Sequence, residues 1–222
     1  MTLAIFDLDN TLLTGDSDYS WGQFLVRHNL VDLEQYEQAN EKFFQDYQDG
    51  VLDIYAYSAF SFAPLTKYSM DELARFHAMF MKEIIEPMMG AKARQLVEQH
   101  KNQGHDLLVI TATNSFITRP IVEKFGIDNL LATDPKIVAG KYTTEVDGIP
   151  CFKEGKVKRL REWLQKTGKD LAGSWFYTDS VNDLALLEQV DNPVAVDPDQ
   201  KLRQIAEERG WSIISLRDKE TH

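Results

Sequence analysis

The sequence predicts an α/β protein, a doubly wound parallel sheet interrupted by a helical insertion. Three observations carry that reading. From residue 90 onward, short apolar runs alternate with segments of helical periodicity, as repeated strand-helix-strand units require. One apolar run, "TLAIF" at residues 2–6, stands apart at the start. Between the two, from Ser17 to about Ile85, only helical spacing occurs.

The elements follow in order. "TLAIF" reads as a buried strand. "SDYSWGQFLVRH", "LEQYEQANEKFFQDYQ" and "VLDIYAYSAF" place apolar and aromatic residues at helical intervals. "SMDELARFHAMFMKEII" opens with Ser69 and Glu72 spaced as a capping box, and Pro87 marks its end. "GAKARQLVEQHKNQG" is a helix closed by Gly104, and "HDLLVIT" a strand. "SFITRPIVEKFG" is helical, with Pro120 expected near its first turn. "KIVAGKYTTEV" reads as a short hairpin. The remaining expected elements are a helix in "KVKRLREWLQKTG", a strand in "SWFYT", a helix in "VNDLALLEQV", a strand in "NPVAV", a helix in "DQKLRQIAEERG" and a last strand in "WSIISL". The expected division is a core of residues 1–14 and 87–222, with residues 15–86 as a helical cap over the sheet.

Composition limits the function. The chain has 222 residues, enough for one full core and a smaller second unit. Acidic residues outnumber basic ones 35 to 24, giving a net charge of −11. That balance argues against nucleic acid or an anionic membrane as partner. It permits a cationic ligand, or an anionic one whose charge a metal meets. No apolar run is long enough to span a bilayer, and the apolar start ends at Asp7, too early for a signal peptide. The single Cys151 excludes an internal disulfide framework and a thiolate metal cage. The expected location is cytoplasmic; the oligomeric state is open.

In a doubly wound sheet the ligand lies beyond the carboxyl ends of the strands. Three strand ends carry polar clusters: Asp7 and Asp9; Thr111, Thr113 and Asn114; Asp179, Ser180, Asn182 and Asp183. Each has an ordinary structural explanation. A D-x-D pair is common in turns, "DSVND" suits a helix N-cap, and Thr111 is a usual strand-end residue. Together, on neighbouring strands, they would bring four carboxylates into one cleft. Such a cleft calls for a hard divalent cation with oxygen ligands, and Mg²⁺ fits best.

At these residues the sequence resembles the haloacid dehalogenase superfamily, in particular the phosphatase branch that includes phosphoserine phosphatase. "DLDNTLL", "VITAT", "EGKVKRL" and "TDSVNDLALL" resemble its four motifs in order. The resemblance implies a Rossmann-like core with an inserted helical cap, and a Mg²⁺-dependent phosphomonoesterase acting on a small phosphate ester. It implies Asp7 as the nucleophile that becomes an aspartyl-phosphate. Asp9 would protonate the leaving oxygen and then activate water. Thr111, Ala112, Asn182 and Lys156 would bind the phosphate, with Lys153 and Lys158 as alternatives to Lys156. Asp7, Asp9 through its backbone carbonyl, and Asp179 would bind the metal, with Asp183 as a ligand or a support. Dehalogenases usually lack the second Asp of the first motif, so its presence points to a phosphatase. Two departures from the family pattern stand out: Ala112 and Thr113 follow Thr111 where glycines are usual, and Thr178 replaces a glycine.

The resemblance also bears on substrate. Asp16 stands where phosphoserine-specific relatives bind the substrate ammonium; the alternative for both Asp16 and Asp18 is a turn or N-cap residue, and for Asp18 that is the expectation. Those relatives use a cap arginine for the substrate carboxylate, but "GVLDIYAYSAFSFAPLT" contains no Arg or Lys. It offers Tyr55, Tyr57, Phe60 and Phe62, most of them expected to pack between helices. An acidic, aromatic cap suits an amine-bearing ester without a carboxylate, such as histidinol phosphate. "GDSD" with "WGQFL", and "GIPCFKEGKV", also resemble a subgroup linked to that compound. Phosphoserine and a broad set of small esters are the alternative substrates, with a phosphomutase and a phospho-accepting receiver-like domain as alternative classes. The histidines show no metal-binding spacing; His77 is expected to be a surface or packing residue, and Cys151 a small buried one.

Overall fold

The computed structural model describes residues 2–217, without the side chains of Leu33 and Gln35. Residue 1 and residues 218–222, the outer ends of the expected core, lie outside the described residues. The centre of the molecule is β1 (Leu3–Phe6), buried along its whole length. Strand alternation sends Ala4 and Phe6 into one apolar layer and Leu3 and Ile5 into the other. A continuous apolar run is what a strand covered on both faces needs.

On one side of β1 lie β2 (Asp106–Asn114) and then β3 (Asn129–Thr133). On the other lie β6 (Trp175–Thr178), β7 (Asn192–Val196) and β8 (Ser212–Ile214). The order is β3-β2-β1-β6-β7-β8, every pairing parallel. A separate antiparallel hairpin joins β4 (Pro135–Val138) to β5 (Lys141–Val146). Its tight turn at Ala139 and Gly140 places both residues at positive φ, 50° and 76°.

The insertion after β1 is helical: α1 (Ser17–Arg27), α2 (Leu33–Gln48), α3 (Ile54–Phe62) and α4 (Met70–Phe80). Ser69 and Glu72 form the expected capping box. The insertion shares the sheet's core: Trp21, Phe24 and Phe80 lie in one buried cluster with Phe6 and Ile117. His77 is buried there, its Nε2 2.8 Å from the Ile117 carbonyl, so it is a packing residue. After α4 the helix widens over Met81–Ile85 and continues as α5 (Glu86–Met88), past Pro87 rather than ending at it. The wide turn shifts the hydrogen-bond ladder just ahead of a residue that has no N–H to give.

The remaining helices are α6 (Ala91–Asn102), α7 (Ser115–Lys124), α8 (Glu154–Thr167), α9 (Leu184–Leu187) and α10 (Gln200–Arg209). Pro120 lies inside α7, beyond its first turn. Strand β3, in "NLLAT", is an element beyond those the sequence indicates; it holds no Val, Ile or aromatic residue.

His100 of α6 sits under β6, its Nε2 2.8 Å from the Tyr177 hydroxyl and its Nδ1 2.8 Å from His105. Burial first, then His105, pushes its pKa from 6.5 down to about 4. The folded state therefore refuses a proton that the unfolded chain accepts, and this contribution to stability is lost as pH falls from 6.5 toward 4. His100→Asn removes the linkage. The gap in Tm between wild type and variant should be widest near pH 7.5 and narrow as pH falls to 4. A gap independent of pH in a thermal melting series would contradict the assignment.

Candidate active site

The chain turns in opposite directions on the two sides of β1, leaving a crevice at the strand's carboxyl end. Asp7 is the first residue past β1, and its N–H donates to the Tyr177 carbonyl at 2.8 Å, which extends the pairing with β6. Beyond it the backbone is not regular helix: Asn10 takes φ 54°, ψ 0°, the left-handed conformation that Asn tolerates. Arg217 holds this loop from behind, donating to the carbonyls of Leu13 and Asn10.

The floor of the crevice is a buried ion triad. Lys156 Nζ donates to Asp7 Oδ1 and to Asp183 Oδ2, both at 2.8 Å. All three side chains are less than one-tenth exposed. Thr178 Oγ1 also donates to Asp183 Oδ2, at 2.8 Å. Lys156 enters from the first turn of α8, which sits close against the preceding loop. A Cβ on Gly155 would lie 2.1 Å from the Pro150 carbonyl oxygen, so only glycine fits there. Lys158 is exposed, and Lys153 reaches the Gly50 carbonyl of the insertion at 2.6 Å. Of the three candidate lysines, Lys156 is the one bonded to Asp7.

Thr11 joins the other side of Asp7 to Asp179. Its hydroxyl is 3.4 Å from Asp7 Oδ2 and 3.1 Å from Asp179 Oδ1, and it accepts the Asp179 N–H at 3.0 Å. Burial raises the pKa of Asp7 to about 7 against the pull of Lys156. Burial, then the charge of Asp7, raises that of Asp179 well above the usual carboxylate range. Burial pulls the Lys156 ammonium down, but Asp183 and Asp7 more than reverse this, so it stays charged.

Asp9 is held at both oxygens, by the Ser17 N–H at 2.6 Å and the Thr113 hydroxyl at 2.8 Å. Burial first, then Asp16, raises its pKa to about 6, so the group exchanges protons near neutrality.

A cavity opens above these groups, lined by Asp7, Asp9, Thr111, Ala112 and Thr113 at the sheet. Asp16, Asp18, Phe43, Phe44, Tyr47 and Tyr57 line it from the insertion. Thr111 is buried, and its hydroxyl accepts the Thr113 N–H at 3.2 Å. Asn182 lies outside the lining, at the rim, its side-chain oxygen facing Gly50.

Asp16 and Asp18 both line the cavity, but they are held differently. Asp16 is the N-cap of α1, accepting from the N–H groups of Asp18 and Tyr19 at 2.9 and 2.8 Å. Asp18 is not the cap; its carboxylate is buried against Ser61 and Tyr57. Sequence reading gave no role to Thr11 or Thr113, since a hydroxyl that serves a carboxylate looks like any strand-end threonine. Cys151 is fully buried, and burial pushes its thiol up to about 12, so it stays protonated.

Among the described residues no three or more His, Cys, Asp or Glu side chains form a metal cage. Asp183 is engaged by Lys156 and Thr178, which favours it as a support rather than a ligand. What remains is an all-oxygen set, the carboxylates of Asp7 and Asp179 on either side of the Thr11 hydroxyl. Such a set fits a small hard cation that keeps several of its waters, as Mg²⁺ does.

Residues 4–188 match the model of the haloacid dehalogenase-like hydrolases. The chain is 47% identical over 219 residues to a histidinol-phosphatase of Neisseria meningitidis serogroup C (strain 8013), covering 97% of this chain and 99% of that protein. A crystal structure of a protein of unknown function from Bordetella pertussis Tohama I superposes with a TM-score of 0.92 at 42% identity, covering 98% of this chain and all of that one. A substrate-bound phosphoserine phosphatase shares the fold at a TM-score of 0.71 and 17% identity, over 97% of this chain and 93% of that one. The chain belongs to the haloacid dehalogenase-like hydrolases.

Proposed function

We propose that this phosphatase hydrolyses histidinol phosphate with Mg²⁺, through a phosphorylated Asp7. The observation that carries the reading is the polarity of the cavity. Its cation, Lys156, lies beneath the sheet end, while the lining itself contains Asp16, Asp18 and aromatic rings but no Lys or Arg. One pole receives a phosphate, and the other receives a cationic group and repels a carboxylate. The full-length likeness to a histidinol-phosphatase supports the same substrate.

Asp7 attacks phosphorus in line, and the bond from phosphorus to the alcohol oxygen breaks. The protonated Asp9 gives its proton to that oxygen. The Asp9 carboxylate then takes a proton from the water that attacks the aspartyl-phosphate, and inorganic phosphate leaves. Lys156 holds Asp7 in place and offsets charge on the phosphoryl oxygens, with Thr111, Ala112 and Asn182 as further donors. Asp7, Asp179 and the Asp9 carbonyl would hold the Mg²⁺, with Asp183 fixing Lys156 beside them. The metal would draw the anionic phosphate toward an anionic nucleophile. The helical insertion, residues 15–86, serves as the cap that excludes water and selects the alcohol.

Asp7→Asn should fold normally and lose turnover, because an amide forms no acyl-phosphate. Activity within about tenfold of wild type, an effect of only about 1.4 kcal/mol, would rule out Asp7 as nucleophile. Chelator should abolish phosphate release and added Mg²⁺ restore it; Ca²⁺, with its looser and larger coordination, should inhibit. Full activity in chelator would remove the metal from the mechanism. Phosphoserine should be the poorer substrate, since its carboxylate would be buried without a partner at a cost of about 3–5 kcal/mol. That corresponds to kcat/KM for histidinol phosphate higher by roughly two to three powers of ten. Equal values in a phosphate-release assay would refute the substrate. Repeated turnovers per chain separate an enzyme from a phospho-accepting domain.

A further inference from the structure

We propose that Asp18, rather than Asp16, is the residue that selects a protonated nitrogen on the alcohol half of the substrate. The proposal deepens the function proposed above and rests on the cavity being the site where the ester binds.

Asp16 is already used. One of its oxygens accepts two backbone N–H groups at the start of α1, at 2.9 and 2.8 Å. Those two bonds pull its pKa down, although burial outweighs them and raises it to about 6. Its removal would loosen α1 before it changed selectivity.

Asp18 is placed differently. It lines the cavity with only 9% of its surface exposed. Ser61 Oγ donates to its Oδ1 at 3.3 Å, and Asn114 Nδ2 donates to Ser61 at 3.3 Å. The Tyr57 hydroxyl is its other hydrogen-bond partner. These groups come from α3 and from the end of β2, so the carboxylate is fixed from the insertion and from the sheet together. All of its partners are neutral; among the described residues no Lys, Arg or His forms an ion pair with it. A buried carboxylate with no counter-ion is costly unless a cation arrives with the ligand. Burial raises its pKa to about 7, as expected of a carboxylate that still lacks such a partner.

The surroundings narrow the ligand further. Phe43 and Tyr57 meet edge to face, 5.3 Å between ring centres, and Tyr19 and Phe44 lie 4.8 Å apart. These four rings line the cavity with Asp18. A flat cationic ring can rest against their faces while its N–H donates to the carboxylate. The chemical class is therefore a phosphate ester whose alcohol carries a protonated amine or imidazole.

The test compares Asp18→Asn, Asp18→Glu and Asp16→Asn on three substrates. These are histidinol phosphate, 2-aminoethyl phosphate and the neutral p-nitrophenyl phosphate. Asp18→Asn should lower the ratio of kcat/KM for the cationic esters over the neutral one by at least about tenfold. The change should lie in KM, and Asp18→Glu should restore part of it. Asp16→Asn keeps an oxygen that can cap α1 and should move that ratio less than Asp18→Asn does. An Asp18→Asn ratio equal to wild type, or one that moves less than that of Asp16→Asn, overturns the proposal. If wild type does not prefer histidinol phosphate but Asp18→Asn still weakens the cationic esters selectively, the proposed substrate fails and the role of Asp18 stands.

Discussion

The site depends on one buried ammonium. Lys156 touches a carboxylate that follows β1 and another that follows β6, both at 2.8 Å. Three charges out of water are expensive, and their mutual attraction repays the cost only when the geometry is close. The surrounding structure supplies that geometry. Gly155 lets α8 approach the Pro150 loop, Thr178 takes the same Asp183 oxygen, and the Asp7 N–H is pinned to β6. Removing Lys156 would leave two buried carboxylates unpaired, which costs about 3–5 kcal/mol in comparable buried pairs, whereas removing Asp7 leaves Lys156 paired with Asp183. The triad is therefore a device for holding Asp7 at a fixed place rather than a source of stability.

The outer parts of the site follow from that fixed point. Thr11 links Asp7 to Asp179 across the crevice, and Thr113 links Asp9 to β2. Two carboxylates raised toward neutrality stand side by side, one positioned by a lysine and the other by a hydroxyl and an amide. Only Asp7 has a cation against it; Asp9 is held by neutral donors alone. Above them the insertion contributes aromatic rings and carboxylates, and no Lys or Arg lines the cavity.

Much of this was legible in the sequence, and the failures have physical causes. The positions of Asp7 and Asp179 just past their strands follow from hydrophobic runs ending in polar residues, a signal the parallel sheet makes strong; Thr111 ends its apolar run, but β2 continues to Asn114. The same signal missed β3, because "NLLAT" has only Leu and Ala as apolar residues and none of the Val, Ile or aromatic residues that mark the other strands. Lys156 could be chosen among three lysines only by resemblance, since nothing local in "KEGKVK" distinguishes a buried ammonium from a solvated one. Which of Asp16 and Asp18 caps α1 was hidden for a similar reason. Both precede a helix at plausible capping spacing, and which one caps depends on where the backbone turns, here with Asp16 at ψ 116°.

The two departures from the family pattern carry the most information. Thr113 stands where a glycine is usual, and its hydroxyl bonds the Asp9 carboxylate at 2.8 Å. Thr178 stands where another glycine is usual, and its hydroxyl bonds Asp183 at 2.8 Å. Each adds a Cβ to a crowded strand end, and each returns a hydrogen bond to a buried carboxylate that would otherwise have one partner fewer. A neutral donor lowers the cost of burying an anion without cancelling its charge. Asp9 so held stays near neutrality, able to give and take a proton, and Asp183 so held still attracts Lys156. A departure that looks disruptive in the sequence is thus compensated within the side chain that causes it.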